Sequence, residues 1–297
     1  MEINYQQIKL NSDSSREQLT IALGNFSCFH LGHFELLKSV INVANSTNTI
    51  PSVLCFSSQI SNKNIMTLKD KKTFLKKIGI SQLIEIEFND SFKKTSYIDF
   101  MLFLKETLNV NNVIVGEDYR FGYNRLGSTN DLKKMFNVNI IELKTANGVK
   151  ISTSDIIQKI ENGEIMSANK LLGFNYSITG IVQKGKQNGR KINFPTINIS
   201  LNEYIIPKSG VYAAYLDYNG LKYLGMAYVG THRTIDTLAT PILELNVFNF
   251  NENLYEKTVT IELLERISDD FKFSNINELQ IALEKYKSTI LKKYSAN

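Results

Sequence analysis

The spacing of apolar residues changes character near residue 175, and that change limits the fold more than any other feature of the chain. Before it, short apolar runs alternate with helical periodicities. Leu19 to Gly24, Ser52 to Phe56, Leu83 to Phe88, Val113 to Val115 and Val138 to Leu143 read as strands. Thr67 with Asp70 three residues on opens a helix that carries Leu68, Phe74, Leu75 and Ile78 and stops at Gly79. Ser96 with Asp99 opens another through Met101, Leu104 and Leu108. Such alternation predicts an α/β unit, a doubly wound parallel sheet covered on both faces. Ligands in these sheets sit beyond the carboxyl ends of the strands, where Asn25 to His33 and Gly116 to Gly122 should emerge.

After the change, strands follow one another without helices between them. Val211 to Asp217 and Leu221 to Tyr228 flank Asn219-Gly220, a hairpin turn whose two residues both tolerate positive φ. Leu243 to Phe248 and Thr258 to Leu263 continue the series. A last helix begins near Asn275, capped with Glu278, and its stripe of Ile276, Leu279, Leu283, Tyr286 and Ile290 predicts a packed face. The second half is therefore expected to be a small antiparallel β-barrel closed by one helix. A chain of 297 residues exceeds what one core usually supports. The expected domains are 1–175 and 176–297.

Hydrophobic residues make up 43% of the chain, enough for real cores, yet no run approaches the roughly 20 apolar residues of a membrane span. The first residues lack the basic and apolar regions of a secretion signal. Cys28 and Cys55 cannot frame a fold and suit a reducing, cytoplasmic setting as small core residues. The net charge of +5 comes from lysines spread along the chain, which marks solvated surface rather than a nucleic-acid partner.

Two segments carry chemistry. Gly180, Gly185 and Gly189 let backbone amides approach phosphate oxygens, with Lys184, Lys186 and Arg190 as cations around them. Pro195 then fixes the backbone before Thr196, which offers a hydroxyl, and Asn198, which offers an amide oxygen; both suit hard Mg²⁺. Glu244 is the one carboxylate set between apolar neighbours in its strand, and phosphoryl transfer needs a base as well as positioning and charge neutralisation. Taken alone, a glycine loop is a turn between strands and Glu244 a solvent-facing residue; it is the joint spacing that points to a kinase. The second segment is His30-Leu31-Gly32-His33, after a strand and at the start of a helix through Phe34, Leu37 and Val40. Helix amides and two imidazoles there can hold phosphates while pyrophosphate leaves.

The loop with Phe194-Pro195-Thr196-x-Asn198 resembles the riboflavin kinases, whose motif reads G-x-V-x-x-G-x-x-x-G-R and F-P-T-A-N. The likeness runs on through Gly210-Val211-Tyr212-Ala213, Gly225-Met226-Ala227, Gly230, Leu254-Tyr255 and Arg266. It implies a six-stranded barrel with a terminal helix, Thr196 and Asn198 as ligands of Mg-ATP, Glu244 as base for the ribityl hydroxyl, and Arg266 among the ligand-binding residues. Asn246 and Asn249 stand where that family tends to have His and Asp.

His30-Leu31-Gly32-His33 is similar to the H-x-G-H nucleotidyltransferases, and with Gly116-Glu117-Asp118-Tyr119-Arg120-Phe121-Gly122 to the adenylyltransferase module of bacterial FAD synthetases. That resemblance implies that Gly24, Phe26, Gly32, Asp118, Arg120, Ser152, Thr153 and Ser154 bind the nucleotide or flavin, and that His30 and His33 are catalytic. Ser27 and Cys28 replace an Asp and a Gly of the family, Gln59 lies in an element that lacks its His, and Ile157 stands for its Arg. Together the resemblances imply a bifunctional transferase that uses ATP to turn riboflavin into FMN and FMN into FAD, with small-molecule partners only. Two other readings remain: an active kinase beside an inactive first domain, and a non-catalytic flavin or nucleotide binder.

Overall fold

The computed structural model describes residues 3–11, 17–57, 63–142, 145–146, 149–184, 194–234, 237–271 and 273–295. The chain divides into two compact units, Met1–Ser152 and Thr153–Asn297.

In the first unit the order is β1 (Tyr5–Lys9), β2 (Leu19–Leu23), α1 (Leu31–Ser46), β3 (Ile50–Ser57), α2 (Leu68–Ile78) and β4 (Gln82–Glu87). Two short helices follow, α3 (Asp90–Lys93) and α4 (Tyr97–Leu102), and then β5 (Val110–Gly116). The small ribbon of β6 (Arg120–Phe121) and β7 (Gly127–Ser128) precedes α5 (Thr129–Leu132), β8 (Asn137–Ile141) and a two-stranded hairpin of β9 (Thr145–Ala146) and β10 (Val149–Lys150). The main sheet has the order β1-β4-β3-β2-β5-β8, parallel except for β1. From β2 the chain winds outward through β3 and β4 and then returns to place β5 on the other side. The switch point therefore falls between the carboxyl ends of β2 and β5, where such sheets bind ligands.

Local rules account for these elements. Thr67 accepts from the Asp70 amide while the Asp70 carboxylate accepts from the Thr67 amide, and Gly79 closes α2 at φ 96°. Ser96 caps α4 by accepting from the Asp99 amide at 3.0 Å while its hydroxyl donates to the Asp99 carboxylate at 2.7 Å. The helix expected from Ser96 through Leu108 departs from its form: after Leu102 it widens into a π-type segment over Phe103–Thr107, with the Leu108 amide bonded to the Phe103 carbonyl at 3.2 Å. The strand β1 was not anticipated, because it lies mostly exposed on the sheet edge and its sequence Tyr-Gln-Gln-Ile-Lys shows no buried face. Leu23, Leu54, Ile84, Val113 and Val115 pack against Phe100, Leu104 and Phe121 on one side of the sheet. At its amino end, buried Asn112 donates to the hydroxyls of Thr20 and Thr47 at 2.8 and 3.0 Å.

The second unit opens with α6 (Thr153–Glu161) and α7 (Ile165–Leu172), followed by β11 (Ser177–Ile181), β12 (Ile197–Ser200), β13 (Gly210–Tyr218), β14 (Leu221–Thr234), β15 (Thr237–Val247), β16 (Thr258–Asp269) and α8 (Ile276–Tyr294). The six strands form one antiparallel sheet, β11-β16-β13-β14-β15-β12. Its ends meet, since the Gln183 amide donates to the Asn198 carbonyl at 2.8 Å and a side chain on Gly180 would press on Ile199 at 3.3 Å. The result is the expected barrel. Asn219 and Gly220 turn the β13–β14 hairpin at φ 53° and 77°.

Asn275 caps α8 through the Glu278 amide. The stripe predicted for this helix is only partly a packing face: Leu283, Tyr286 and Ile290 meet the barrel, whereas Ile276 is 63% exposed. The first turn leaves an exposed segment and reaches the sheet only farther along.

Candidate functional sites

In the first unit, Gly24 follows β2 and has no side chain where one would strike the Phe26 ring at 2.9 Å. Phe26 can therefore fold back, fully buried, and set its ring edge-on against His33 at 5.0 Å. His30 occupies the position before α1 in extended backbone, and the His33 amide closes the turn onto its carbonyl at 2.8 Å. The two imidazoles stack with centroids 3.8 Å apart, His30 being 5% exposed. Gly32 is buried in the first turn. A helix start with both imidazoles on one flank is suited to receive phosphate oxygens.

Asp118 and Arg120 follow β5, the parallel neighbour of β2, and both are exposed. Their ribbon presses close to α4. A Cβ on Gly122, at φ 73°, would lie 2.5 Å from the Tyr97 nitrogen, and one on Gly127 would lie 2.7 Å from the Tyr97 Cβ. Tyr119 stacks on Phe121 at 5.7 Å, and burial pushes its phenol well above the ordinary range. Ser152 is exposed, while Thr153 and Ser154 form the first turn of α6, the first half-buried and the second exposed. Ile157 is half-buried on that helix. Gln59 lies outside the described residues.

In the second unit, the antiparallel register sets Asn198 directly opposite Glu244 across β12 and β15. The Thr196 hydroxyl reaches the Glu244 carboxylate at 3.5 Å, the outer limit of a hydrogen bond. Leu243 and Leu245 point into the barrel core, so strand alternation turns Glu244 and Asn246 to the other face. Asn246 is buried and donates to the Pro195 carbonyl at 2.7 Å, tying the Phe194-Pro195-Thr196 segment to β15. Asn249 holds a left-handed turn at φ 52°, a conformation Asn tolerates. Lys287 of α8 stands 5.8 Å over the rings of both Phe194 and Phe248.

Tyr228, which sequence reasoning did not single out, pairs with Glu244 from the other side, across β14 and β15. Its hydroxyl lies where a Cβ on Gly230 would be, at 2.4 Å, so only glycine leaves room for it. Burial pushes the Tyr228 phenol up, as do the nearby carboxylates of Asp270 and Glu244, while a bond to Ser209 acts against them. Ser209 in turn bonds Asp270 at 2.9 Å and gives its carbonyl to Arg266 at 2.6 Å. Arg266 also pairs with Asp269 at 2.8 Å, passing bare Gly163 and Gly210.

Of the expected phosphate-loop residues, Gly180 lies within β11 and serves barrel closure, and Lys184 is exposed just beyond that strand. Gly185, Lys186, Gly189 and Arg190 lie outside the described residues. Among the described residues, no group of three or more His, Cys, Asp or Glu side chains is gathered as a metal site. The hydroxyl of Thr196 and the amide oxygen of Asn198 are hard donors that fit Mg²⁺ brought by phosphates and water.

Comparison with known proteins gives two family matches: a FAD synthetase model over residues 12–158 and a riboflavin kinase model over residues 172–293. Curated relatives span nearly the whole chain. One from Buchnera aphidicola is 33% identical over 96% of this chain and 95% of its own. One from Listeria monocytogenes is 34% identical over 89% of each, and one from Bacillus subtilis is 33% identical over 93% of this chain and 92% of its own. All three are bifunctional riboflavin kinase/FMN adenylyltransferases. A solved structure from Streptococcus pneumoniae, described as a macrolide-efflux protein, superposes with a TM-score of 0.84 at 27% identity, over 95% of this chain and 96% of that one. Among the described residues here, no helix is long and apolar enough to cross a membrane.

Proposed function

Because the chain belongs to the family of bifunctional riboflavin kinase/FMN adenylyltransferases, we propose a division of labour in which Glu244 and its neighbours phosphorylate riboflavin and the His30–His33 loop adenylylates the product. The enzyme is a transferase: ATP phosphorylates riboflavin to FMN, and a second ATP converts FMN to FAD. We assign adenylyl transfer to 1–175 and the kinase to 176–297, a division by sequence pattern that falls later than the break between the compact units at Ser152 and Thr153, and two buried free cysteines agree with a cytoplasmic setting.

In the kinase module, Glu244 accepts the proton of the terminal ribityl hydroxyl as that oxygen attacks the γ-phosphorus. Thr196 and Asn198 would hold Mg²⁺, which supplies charge neutralisation at the phosphates. Tyr228 flanks Glu244 opposite Asn198 and confines the carboxylate to the face where the hydroxyl arrives. Lys184 and the glycine loop supply amides and cations for the triphosphate. The observation that carries this reading is the register that sets Glu244 between Asn198 and Tyr228 with the Thr196 hydroxyl 3.5 Å away.

In the adenylyltransferase module, an FMN phosphate oxygen attacks the α-phosphorus of ATP and pyrophosphate leaves. His30, His33 and the first amides of α1 stabilise charge on the phosphates, and no covalent intermediate is required. Gly24 and Phe26 fix the His33 ring, while Asp118, Arg120, Ser152, Thr153 and Ser154 contact nucleotide or flavin. Incubation with riboflavin, ATP and Mg²⁺ followed by chromatography of the flavins is expected to yield FMN and then FAD. Accumulation of FMN without FAD, even from supplied FMN, would leave only the kinase.

A further inference from the structure

The segment that carries Thr196 is pinned on both sides. Before it, Phe194 is buried in the core between the barrel and α8, with Lys287 over its ring. After it, the ladder of β12 against β15 begins with Ile197 opposite Leu245. Continued by one step, the same register would set Thr196 opposite Asn246. β12 stops short of that step, and Pro195 has no N–H with which to extend the ladder. The Asn246 side chain takes the place of the missing rung: its amide nitrogen donates to the Pro195 carbonyl at 2.7 Å. Asn246 is 7% exposed, and a leucine of similar volume would fill the same space without burying an amide. What the amide adds is the bond. The Pro195 carbonyl lies in the rigid peptide plane that runs to the Thr196 Cα, so holding it fixes where the Thr196 side chain starts. From there the Thr196 hydroxyl reaches Glu244 at 3.5 Å.

We propose that Asn246 is a positioning residue for the Mg²⁺–nucleotide site of the second unit. With its amide committed to the Pro195 carbonyl, it holds the Thr196 hydroxyl in line with the Asn198 amide and Glu244, and so sets nucleotide affinity through Thr196. The inference rests on the kinase reading of Thr196, Asn198 and Glu244.

The test titrates the full chain with ADP and Mg²⁺ by calorimetry, and Thr196→Ala identifies the binding event that belongs to the second unit. Asn246→Leu is expected to weaken that event alone by about tenfold. In FMN formation it should raise KM for Mg-ATP by a similar factor and leave kcat within about threefold. Asn246→His restores a donor, because its Nδ1–H stands as many bonds from the backbone as the amide nitrogen, and should return the affinity to within about threefold of the wild-type value. Unchanged ADP affinity in Asn246→Leu, a loss confined to kcat, or a loss that Asn246→His shares would overturn the proposal. A lower Tm with unchanged affinity and KM would assign Asn246 to packing. Should Asn246→Leu fail to fold, Asn246→Ala carries the same comparison. ADP binding needs no turnover. A wild-type chain that shows the Thr196-dependent event but forms no FMN therefore refutes phosphoryl transfer while leaving the role of Asn246 standing, and one in which Thr196→Ala removes no event refutes both.

Discussion

The two proposed sites would handle the same nucleotide by different structural means. In the first unit the groups lie on a loop and a helix start at the switch point of a parallel sheet, and the side chains that meet are imidazoles and phenyl rings. In the second, a carboxylate, an amide and a hydroxyl are set by register on adjacent antiparallel strands. The chemistry accounts for the contrast. Adenylyl transfer from a phosphate nucleophile needs no base, so the first site gathers donors and cations. Phosphorylation of an alcohol needs a proton acceptor, and strand pairing between β12, β15 and β14 fixes one more firmly than a loop does.

The largest effect that would sharpen this contrast is expected at Glu244. Glu244→Gln should lower FMN formation by about 10³-fold while FAD formation from supplied FMN stays at the wild-type rate, as read in separate assays. Next in size, His33→Ala or His30→Ala should slow FAD formation by about 10²-fold or more and spare the kinase; a matching loss of FMN formation would show that the sites are not separate.

A smaller effect tests the packing behind the base. Gly230→Ala places a methyl group 2.4 Å from the Tyr228 hydroxyl and should destabilise the second unit by about 1–3 kcal/mol in urea unfolding. Adding Tyr228→Phe should recover most of that loss, and failure to do so would mean that the glycine serves another contact.

The smallest effect concerns Cys55, whose thiol burial pushes up to about 11. It should resist iodoacetamide at pH 8 in the folded chain. The folded value lies above the unfolded value, so the thiol's contribution to stability is complete below the unfolded range and is lost as pH rises toward about 11. Rapid alkylation without unfolding would place the thiol at the surface.

Much of this architecture is written in local sequence. The pairs Thr67 and Asp70, Ser96 and Asp99, and Asn275 and Glu278 mark helix starts because each satisfies amides that a helix start leaves bare. Asn219-Gly220 marks a hairpin because both residues accept positive φ. The Phe194-Pro195-Thr196-x-Asn198 spacing marks residues that the fold sets beside Glu244, and His30-Leu31-Gly32-His33 marks two imidazoles that stack, whereas the glycines of the loop beyond Lys184 lie outside the described residues. What escaped sequence reasoning depends on contacts between distant residues. Tyr228 joins Glu244 only through the β14–β15 register, and Gly230 makes sense only once that ring lies over it. Lys71 reads as a surface lysine in a run of charged residues until the fold buries it. Ile276 continues a helical stripe by spacing, yet the barrel ends before the helix reaches it.

The central claim is that one chain holds two separable transferase sites and that Glu244 belongs to only one of them. The most direct measurement supplies the Glu244→Gln chain with Mg-ATP and either riboflavin or FMN, and separates the flavins formed. The account predicts FAD from FMN at the wild-type rate and no detectable FMN from riboflavin. FMN formed at the wild-type rate, or loss of both products from a folded chain, would contradict it.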